Sequence, residues 1–116
     1  MEKKDLLKDV VKHIDIKSFD STPIINAMRN MSFTSRDTAV AADIFEMMIN
    51  DKECSNWLVL AGSTSAGGCM QAYVEMVKNK MVDVIVATGA SIVDMDFFEA
   101  LGFKHYKGTP FIDDNH

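Results

Sequence analysis

Apolar residues in the middle of the chain form two short continuous runs with a helical pattern between them. The runs are 57–61 (WLVLA) and 82–87 (VDVIVA), which have the length and β-branched content of buried strands. The connection of roughly 20 residues is too long for a hairpin and is typical of a right-handed crossover between parallel strands. We therefore predict an α/β fold with a parallel sheet. The apolar face of the intervening helix consists of Met70, Tyr73, Val74 and Val77.

Two further helices are predicted before the first strand. The sequence 20–23 (DSTP) offers an N-cap and a proline at a first helical position, so a helix is expected from Pro23 to about Met31. In 34–37 (TSRD) the first hydroxyl and the last carboxylate favour a second helix start, and that helix should end near Asn50. Its predicted buried stripe consists of Val40, Ile44, Met47 and Met48.

The amino-terminal segment has a different pattern. Its charged residues are followed by Leu6, Leu7, Val10, Val11 and Ile14, at the spacing of an amphipathic helical face. The segment is either such a helix or an arm that docks on the rest of the chain, and a frayed, solvated terminus fits the pattern equally well. We therefore divide the chain into an arm, residues 1–22, and a main unit, residues 23–116.

Two loops of small residues follow the two predicted strands. The first is 60–70 (LAGSTSAGGCM), and the second, 88–96 (TGASIVDMD), precedes a short helix that should close at Gly102. Strands that run parallel end at the same edge of a sheet, and ligands of open α/β sheets bind at that edge. Each loop can offer unobstructed backbone N–H groups, and a helix N-terminus favours an anion.

Neither standard phosphate-binding motif is present in the first loop. Gly62 and Gly67 have P-loop spacing, but Gly68 and Cys69 stand where Lys and Ser or Thr are required. The glycine intervals also differ from the dinucleotide-binding G-x-G-x-x-G. On spacing alone, a ligand site and a structural turn remain equally open interpretations.

Composition and charge narrow the range of partners. The chain has 116 residues, enough for one domain, and a net charge of −5 with no basic stripe. We expect no nucleic-acid or anionic-membrane partner, and a cationic ligand fits better. No apolar run approaches the roughly 18 residues of a membrane span. Cys54 and Cys69 are too few for a disulfide framework, so a cytoplasmic location is expected.

The remaining chemistry-bearing residues have structural interpretations. Asp83 lies inside an apolar run and is predicted to be a satisfied structural carboxylate. His13 and His105 lack the spacing of metal ligands and should be structural or exposed. Cys69 is interpreted as a small packing residue. We assign no catalytic residue and no metal ligand.

Four segments resemble the deoxyhypusine synthase family in its archaeal and bacterial form. The resemblance covers nearly the whole chain from about Val10, and N-x-M-V-D-V-I-V-x-T-G-A is its most specific part. It implies a Rossmann-like parallel sheet with flanking helices, incomplete here and part of a larger domain. The segments are 30–37 (NMSFTSRD), 60–68 (LAGSTSAGG), 79–90 (NKMVDVIVATGA) and 96–106 (DFFEALGFKHY).

The resemblance also implies a chemistry. Members of the family use NAD to transfer the 4-aminobutyl group of spermidine to a lysine of the hypusine-bearing translation factor. The resemblance implies that NAD lies against Gly62 to Ala66 and Thr88 to Ala90. It implies that a polyamine lies against the acidic residues Asp94 and Asp96. A partly desolvated cationic amine needs such carboxylates, although both also fit an N-cap and first-turn role in the next helix. The cofactor-binding residues are thus Gly62, Ser63, Thr64, Ser65, Ala66, Thr88, Gly89 and Ala90.

The family's lysine motif and its remaining cofactor contacts are not found in this sequence. Lys104 and Lys107 do not occupy that motif, so the chain alone is expected to be inactive. We expect an amino-terminal fragment or a truncated paralogue, which forms homo-oligomers or pairs with a C-terminal part, because two strands leave apolar surface uncovered. The alternatives are a non-catalytic assembly subunit, a homospermidine synthase-like enzyme and a generic α/β nucleotide- or signal-binding domain.

Overall fold

The computed structural model describes residues 2–111 and has two strands among its helices. Two π-helical segments, Ser65–Cys69 and Ile92–Phe97, run directly into the helices that follow them. The first of them is kinked at Gly68, where φ is +102°. In chain order the elements are α1 (Lys3–Leu6), α2 (Thr22–Met28), α3 (Phe33–Asn50), β1 (Trp57–Leu60), α4 (Met70–Lys78), β2 (Val84–Ala87), α5 (Gly89–Ser91) and α6 (Phe98–Ala100).

The two strands form a parallel pair with α4 in the connection between them. The register runs from Trp57 opposite Val84 to Leu60 opposite Ala87. This confirms the predicted strand, turn, helix, strand order and the α/β class. The strands are shorter than the apolar runs that predicted them. A two-stranded sheet establishes a parallel α/β unit, whereas the larger Rossmann-like sheet stays a prediction.

A carboxylate closes the amino end of this strand pair. The Asn56 amide donates to Asp83 Oδ2 at 2.8 Å, and the Asp83 amide donates to the Asn56 carbonyl at 2.8 Å. Asn56 is buried, so these bonds satisfy backbone groups that water cannot reach. The predicted structural role of Asp83 is confirmed.

Both helices before β1 form, with small shifts at their ends. α2 begins at Thr22, whose amide donates to Asp20 Oδ1 at 2.9 Å, and it ends three residues before Met31. α3 ends at Asn50 as predicted, but it begins after Ser32. The expected Thr34 cap is wrong, because Thr34 already lies within the first turn of the helix and its carbonyl accepts the Thr38 hydroxyl. A bidentate ion pair between Arg29 and Asp43 joins α2 to α3.

The predicted buried stripe of α3 is wrong at three of its four positions. Val40, Ile44 and Met47 are 48%, 48% and 62% exposed, and Met48 is half-buried. The buried residue of this helix is Ala39, on a neighbouring face. The stripe is apolar at helical spacing, but no described element covers it. Trp57, Val59 and Val86 of the strands are exposed as well.

The amino-terminal arm docks on the chain instead of forming a long helix. Its helix stops at Leu6, and Val10 then forms an isolated antiparallel bridge with Tyr106. The Val11 amide donates to the His105 carbonyl at 2.9 Å. Two consecutive β-branched residues favour extended backbone, so the helical interpretation fails beyond the first turn and the docking interpretation is confirmed.

Within residues 2–111, no helix is both long and apolar enough to cross a bilayer.

Candidate functional site

The two small-residue loops meet at the carboxyl edge of the strand pair, and Gly62 joins them. Its carbonyl accepts the Ser91 hydroxyl at 2.6 Å and the Thr88 hydroxyl at 3.1 Å. Ser91 is fully buried, whereas Thr88 is exposed. The parallel register brings both strand ends to this edge, because Leu60 and Ala87 are partners. The predicted proximity of the loops is therefore confirmed.

The first loop combines exposed backbone with one buried hydroxyl. Gly62, at φ +64°, Ser63 and Thr64 are exposed, and the Tyr73 hydroxyl donates to Thr64 Oγ1 at 2.7 Å. Ser65 is 1% exposed, and its Oγ has no hydrogen-bond partner among the described residues. A ligand at this surface would meet the side chains of Ser63 and Thr64 and the half-buried Ala66, whereas Ser65 is buried as a whole residue and would not contact it.

The second loop is shorter than the sequence suggested, because helix begins at once. Thr88 is the N-cap, with an extended backbone, and helical structure runs without a break from Gly89 to Ala100. The amides of Gly89 and Ala90 belong to the first turn, so they have no intrahelical acceptor. No atom lies within 4 Å of the point where a Gly89 side chain would begin. The edge therefore offers open amides at a helix N-terminus.

The two predicted polyamine carboxylates lie inside this helical run and do not face the same way. Asp94 is exposed, and Asp96, two residues later, is half-buried. Residues two apart on a helix occupy different faces. Neither residue is an N-cap, since the helical run begins at Gly89 and its cap is Thr88, but Asp94 does lie in the first turn of the segment Ile92–Phe97. One oxygen of Asp96, Oδ1, is buried without a partner among the described residues.

Asp96 lines a cavity of about 660 Å³. The cavity lies over Ile85 of β2, with α4, α6 and the arm as its other walls. None of the eight residues predicted to bind NAD lines it. The structure therefore does not place the eight predicted NAD-binding residues and Asp96 in one pocket. The polar and charged residues of the lining are His13, Tyr73, Lys78, Asp96, Glu99 and Lys104.

Glu99 forms a cluster with the two histidines for which the sequence predicted structural or exposed positions. His13 Nε2 lies 2.7 Å from Glu99 Oε2, and His105 Nδ1 lies 2.8 Å from Oε1. Burial raises the pKa of the Glu99 carboxyl, but the hydrogen bonds from His105 and His13 lower it, and the net pKa is below its usual value. Glu99 was not among the predicted site residues. His13 precedes it by 86 residues and His105 follows it by six, so no local sequence pattern joins the three.

A buried carboxylate, Glu75 on α4, is held by lysines. Lys17 Nζ lies 2.9 Å from Glu75 Oε2, and Lys78 Nζ lies 3.4 Å from Oε1. The hydrogen bond from Lys17 holds the pKa of the Glu75 carboxyl below its usual value, although burial acts in the opposite direction. Glu75 is 4% exposed and thus depends on these partners. Its role is to anchor the arm to α4.

The fold is a mixed α/β unit in which two loops of small residues meet at the carboxyl edge of a parallel strand pair. A family model described as deoxyhypusine synthase matches residues 23–116. The chain belongs to the deoxyhypusine synthase family, which confirms the resemblance drawn from its sequence.

Three relatives found by sequence comparison are each much longer than this chain. A deoxyhypusine synthase-like protein of Caulobacter vibrioides is 68% identical over 114 residues, which are 98% of this chain and 31% of that protein. A protein of the same description from Coxiella burnetii is 64% identical over 97% of this chain and 32% of its own. A probable deoxyhypusine synthase 2 of Methanosarcina acetivorans is 29% identical over 87% of this chain and 29% of its own length. The chain thus spans about a third of the length of the curated relatives it matches.

Proposed function

We propose that this chain is the amino-terminal, NAD-contacting part of a deoxyhypusine synthase-like enzyme with a Rossmann-like domain. The enzyme would transfer the 4-aminobutyl group of spermidine to a lysine of the hypusine-bearing translation factor, in the cytoplasm. The observation that carries the proposal is the Gly62 carbonyl, which binds hydroxyls of the second loop and so holds both loops at one edge. Family membership supplies the reaction.

The residues of the loop edge fit a dinucleotide. The cofactor's pyrophosphate is an anion, and the open amides of Gly89 and Ala90 lie at a helix N-terminus, where anions are stabilised. The absence of side chains at Gly62 and Gly89 leaves room for close approach. Thr64 and Ser63 add exposed hydroxyls, whereas Ser65 is buried beneath them and would not contact the cofactor directly. Bound NAD would supply a hydride acceptor that later returns the hydride.

The polyamine would be held by carboxylates of the helix that follows the second loop. Spermidine is cationic, and a cation that leaves water requires a negative partner. Asp96 offers a buried oxygen with no partner among the described residues, and Asp94 offers an exposed one. Transfer would break one carbon–nitrogen bond of spermidine and form another at the acceptor lysine, which releases 1,3-diaminopropane. No residue of this chain is assigned to that covalent step.

A cofactor titration tests the proposal directly. Amide chemical shifts should change in residues 62–66 and 88–90 when NAD is added to the isotope-labelled chain. Trp57 fluorescence is a poor reporter, because Trp57 begins β1 and the loop follows its other end, roughly 10 Å away at about 3.3 Å per strand residue. Unchanged loop shifts at millimolar NAD would refute a cofactor site in this chain.

A pair of glycine substitutions provides the control. Neither Gly89 nor Gly108 has a positive φ, and at both an added Cβ would meet nothing within 4 Å. Gly89→Leu should fill the space at the loop edge and weaken NAD binding by about tenfold or more, whereas Gly108→Leu should change it less than twofold. Equal effects would show that the loop edge is not where NAD binds.

A reaction assay tests whether this chain binds the cofactor without catalysing the transfer. Incubated with NAD and spermidine, the chain alone should release no 1,3-diaminopropane, because it carries no assigned nucleophile. The full-length Caulobacter vibrioides relative should release it under the same conditions, because it contains the two thirds of the protein that this chain does not span. Release by this chain alone would contradict the proposal.

A non-catalytic assembly module is the second candidate, and one observation favours it. The apolar stripe of α3, formed by Val40, Ile44 and Met47, is about half exposed and has no covering element among the described residues. Such a surface is typical of an interface. It fits a homo-oligomer or pairing with a C-terminal part, and these are compatible with the enzymatic proposal. The NAD titration separates the two functions, since a pure assembly module would show no change at the loops.

A further inference from the structure

Residues 9–17 form a strap that crosses from the segment after α6 to α4. Its first half is held by backbone bonds: the Lys107 amide donates to the Asp9 carbonyl at 2.8 Å, and the Val11 amide donates to the His105 carbonyl at 2.9 Å. Its last residue, Lys17, forms the ion pair with buried Glu75. The strap is therefore fixed at both ends.

The middle of the strap contacts the helical run that begins at the second loop. His13 Nε2 bonds Glu99 Oε2 at 2.7 Å, and His105 holds the other oxygen. An ionised carboxylate only accepts hydrogen bonds, so both imidazoles donate to it. The His13 side chain is 17% exposed and that of Glu99 is 13% exposed, so the bond lies in a mostly dry environment where hydrogen bonds to charged groups are strong.

The next residue of the strap contacts the end of the first loop. The Ile14 amide donates to the Gly68 carbonyl at 2.8 Å. The strap passes so close that a Cβ at Gly68 would lie 3.1 Å from the Lys12 carbonyl oxygen. Gly68 is also the kink, at φ +102°, between the first loop and α4. Three consecutive residues, 12–14, thus contact the helical segments that follow both loops.

We infer that the strap is a positioning element for the two loops and that His13 is its positioning residue. His13 bonds Glu99, and the next residue, Ile14, bonds Gly68. Together these two bonds fix the separation of the helical segments that follow the loops. The alignment with the Caulobacter protein takes in the strap, since it leaves out two of 116 residues, although the family model begins at residue 23. Describing the loops as cofactor loops rests on the proposed function, but the coupling of strap to loops does not.

Hydrogen exchange of the full chain without NAD tests the coupling. His13→Ala should raise exchange about tenfold at the hydrogen-bonded amides of both loop segments, because local openings become less costly. These amides lie outside the strap and belong to Gly67 and Cys69 in the first segment and to Ser91 and Ile92 in the second. His13→Gln should retain most of the protection, since the Gln amide nitrogen can take the place of Nε2. Lys4→Ala, which removes only an exposed ion pair with Glu2, is the control and should leave both loops unchanged.

Each outcome decides for or against the coupling. Faster exchange in both loops with rescue by Gln supports the inference. Faster exchange confined to residues 9–17 overturns it, because the strap would then dock on the chain without stabilising either loop. Equal loss of protection in His13→Ala and His13→Gln also overturns it, since the hydrogen bond to Glu99 would not be responsible.

A second pair of variants covers the case in which His13→Ala does not fold. Gly68→Ala and Gly102→Ala both place a side chain at positive φ, +102° and +95°, but at Gly102 an added Cβ meets nothing within 4 Å. The difference between them therefore reports the close approach of the strap at Gly68. Gly68→Ala should raise exchange in the strap and the second loop, and Gly102→Ala should not. Identical exchange maps for the two variants would overturn the inference.

The failure of this inference is distinguishable from that of the proposed function. If NAD does not bind but His13→Ala loosens both loops, the strap positions loops with another role. If NAD binds and its dissociation constant is the same in wild type, His13→Ala and His13→Gln, the strap is not a positioning element. The inference expects about tenfold weaker NAD binding in His13→Ala and near wild-type binding in His13→Gln.

Discussion

The buried Ser91 hydroxyl donates a 2.6 Å hydrogen bond to the carbonyl of Gly62, 29 residues earlier in the chain. One residue belongs to the first helical turn after β2 and the other to the turn after β1. The bond therefore fixes the geometry of the edge at which the two strands end. The Thr88 hydroxyl makes a longer bond to the same oxygen at an exposed position.

Removal of the Ser91 hydroxyl should destabilise the fold by about 1 kcal/mol, the usual net value of a hydrogen bond that folding makes. Ser91→Ala leaves the Gly62 carbonyl with one donor, and equilibrium urea unfolding measures the change. Thr88→Val, which removes the longer and exposed bond, is the matched control and should cost less. The assignment of Ser91 as the main tie is wrong if Thr88→Val proves the more destabilising.

Local patterns predicted the elements of the fold well. The apolar runs at 57–61 and 82–87, with α4 between them, were enough to predict a parallel pair, because a long helical connection excludes a hairpin. The adjacency of the Gly62 and Thr88 loops followed from that topology alone. α3 was found from its spacing and its end at Asn50.

Tertiary relationships could not be predicted in the same way. The stripe of Val40, Ile44 and Met47 has a core pattern, yet periodicity says which face is apolar and not what covers it. The cluster at Glu99 joins residues from three separate segments, and no local pattern encodes such a contact. The early helix start at Gly89 moved Asp94 and Asp96 onto different faces, which spacing counted from a loop could not foresee.

Gly62 should resist substitution because of its backbone conformation rather than for lack of space. Its φ is +64°, and no atom lies within 4 Å of an added Cβ. Gly62→Ala should cost about 1 kcal/mol from the left-handed conformation. Gly67→Ala, equally open and without positive φ, is the control and should be close to neutral in thermal unfolding. Equal costs at the two positions would mean that strain at Gly62 is not the cause.

The Glu99 cluster should make stability fall in acid. The folded pKa of Glu99 lies below its ordinary value of 4.5, so its ionised form stabilises the fold above that pH. The contribution is lost as the pH falls below 4.5 and through the lower folded pKa. Glu99→Gln should therefore lose stability at pH 7 and show a shallower decline between pH 5 and about 3 in urea titrations.

The control for that acid effect is Glu53→Gln, which replaces an exposed carboxylate. Its stability curve should run parallel to that of the wild type across the same pH range. Parallel curves for Glu99→Gln and wild type would contradict the proposed contribution of the His13 and His105 hydrogen bonds, because the pKa of Glu99 would then be the same in the folded and unfolded states.

The exposed stripe of α3 should drive association at micromolar concentration. Val40, Ile44 and Met47 lie on one helical face, and burying them against another chain removes apolar surface from water. Sedimentation velocity should show oligomers of the wild type and mostly monomer for Ile44→Glu. Leu7→Glu, at 47% exposure against 48% for Ile44, is the matched control on the arm and should leave association unchanged. A monomeric wild type would exclude the stripe as a self-association surface, whereas oligomers that persist in Ile44→Glu but dissolve in Leu7→Glu would move the interface to the arm.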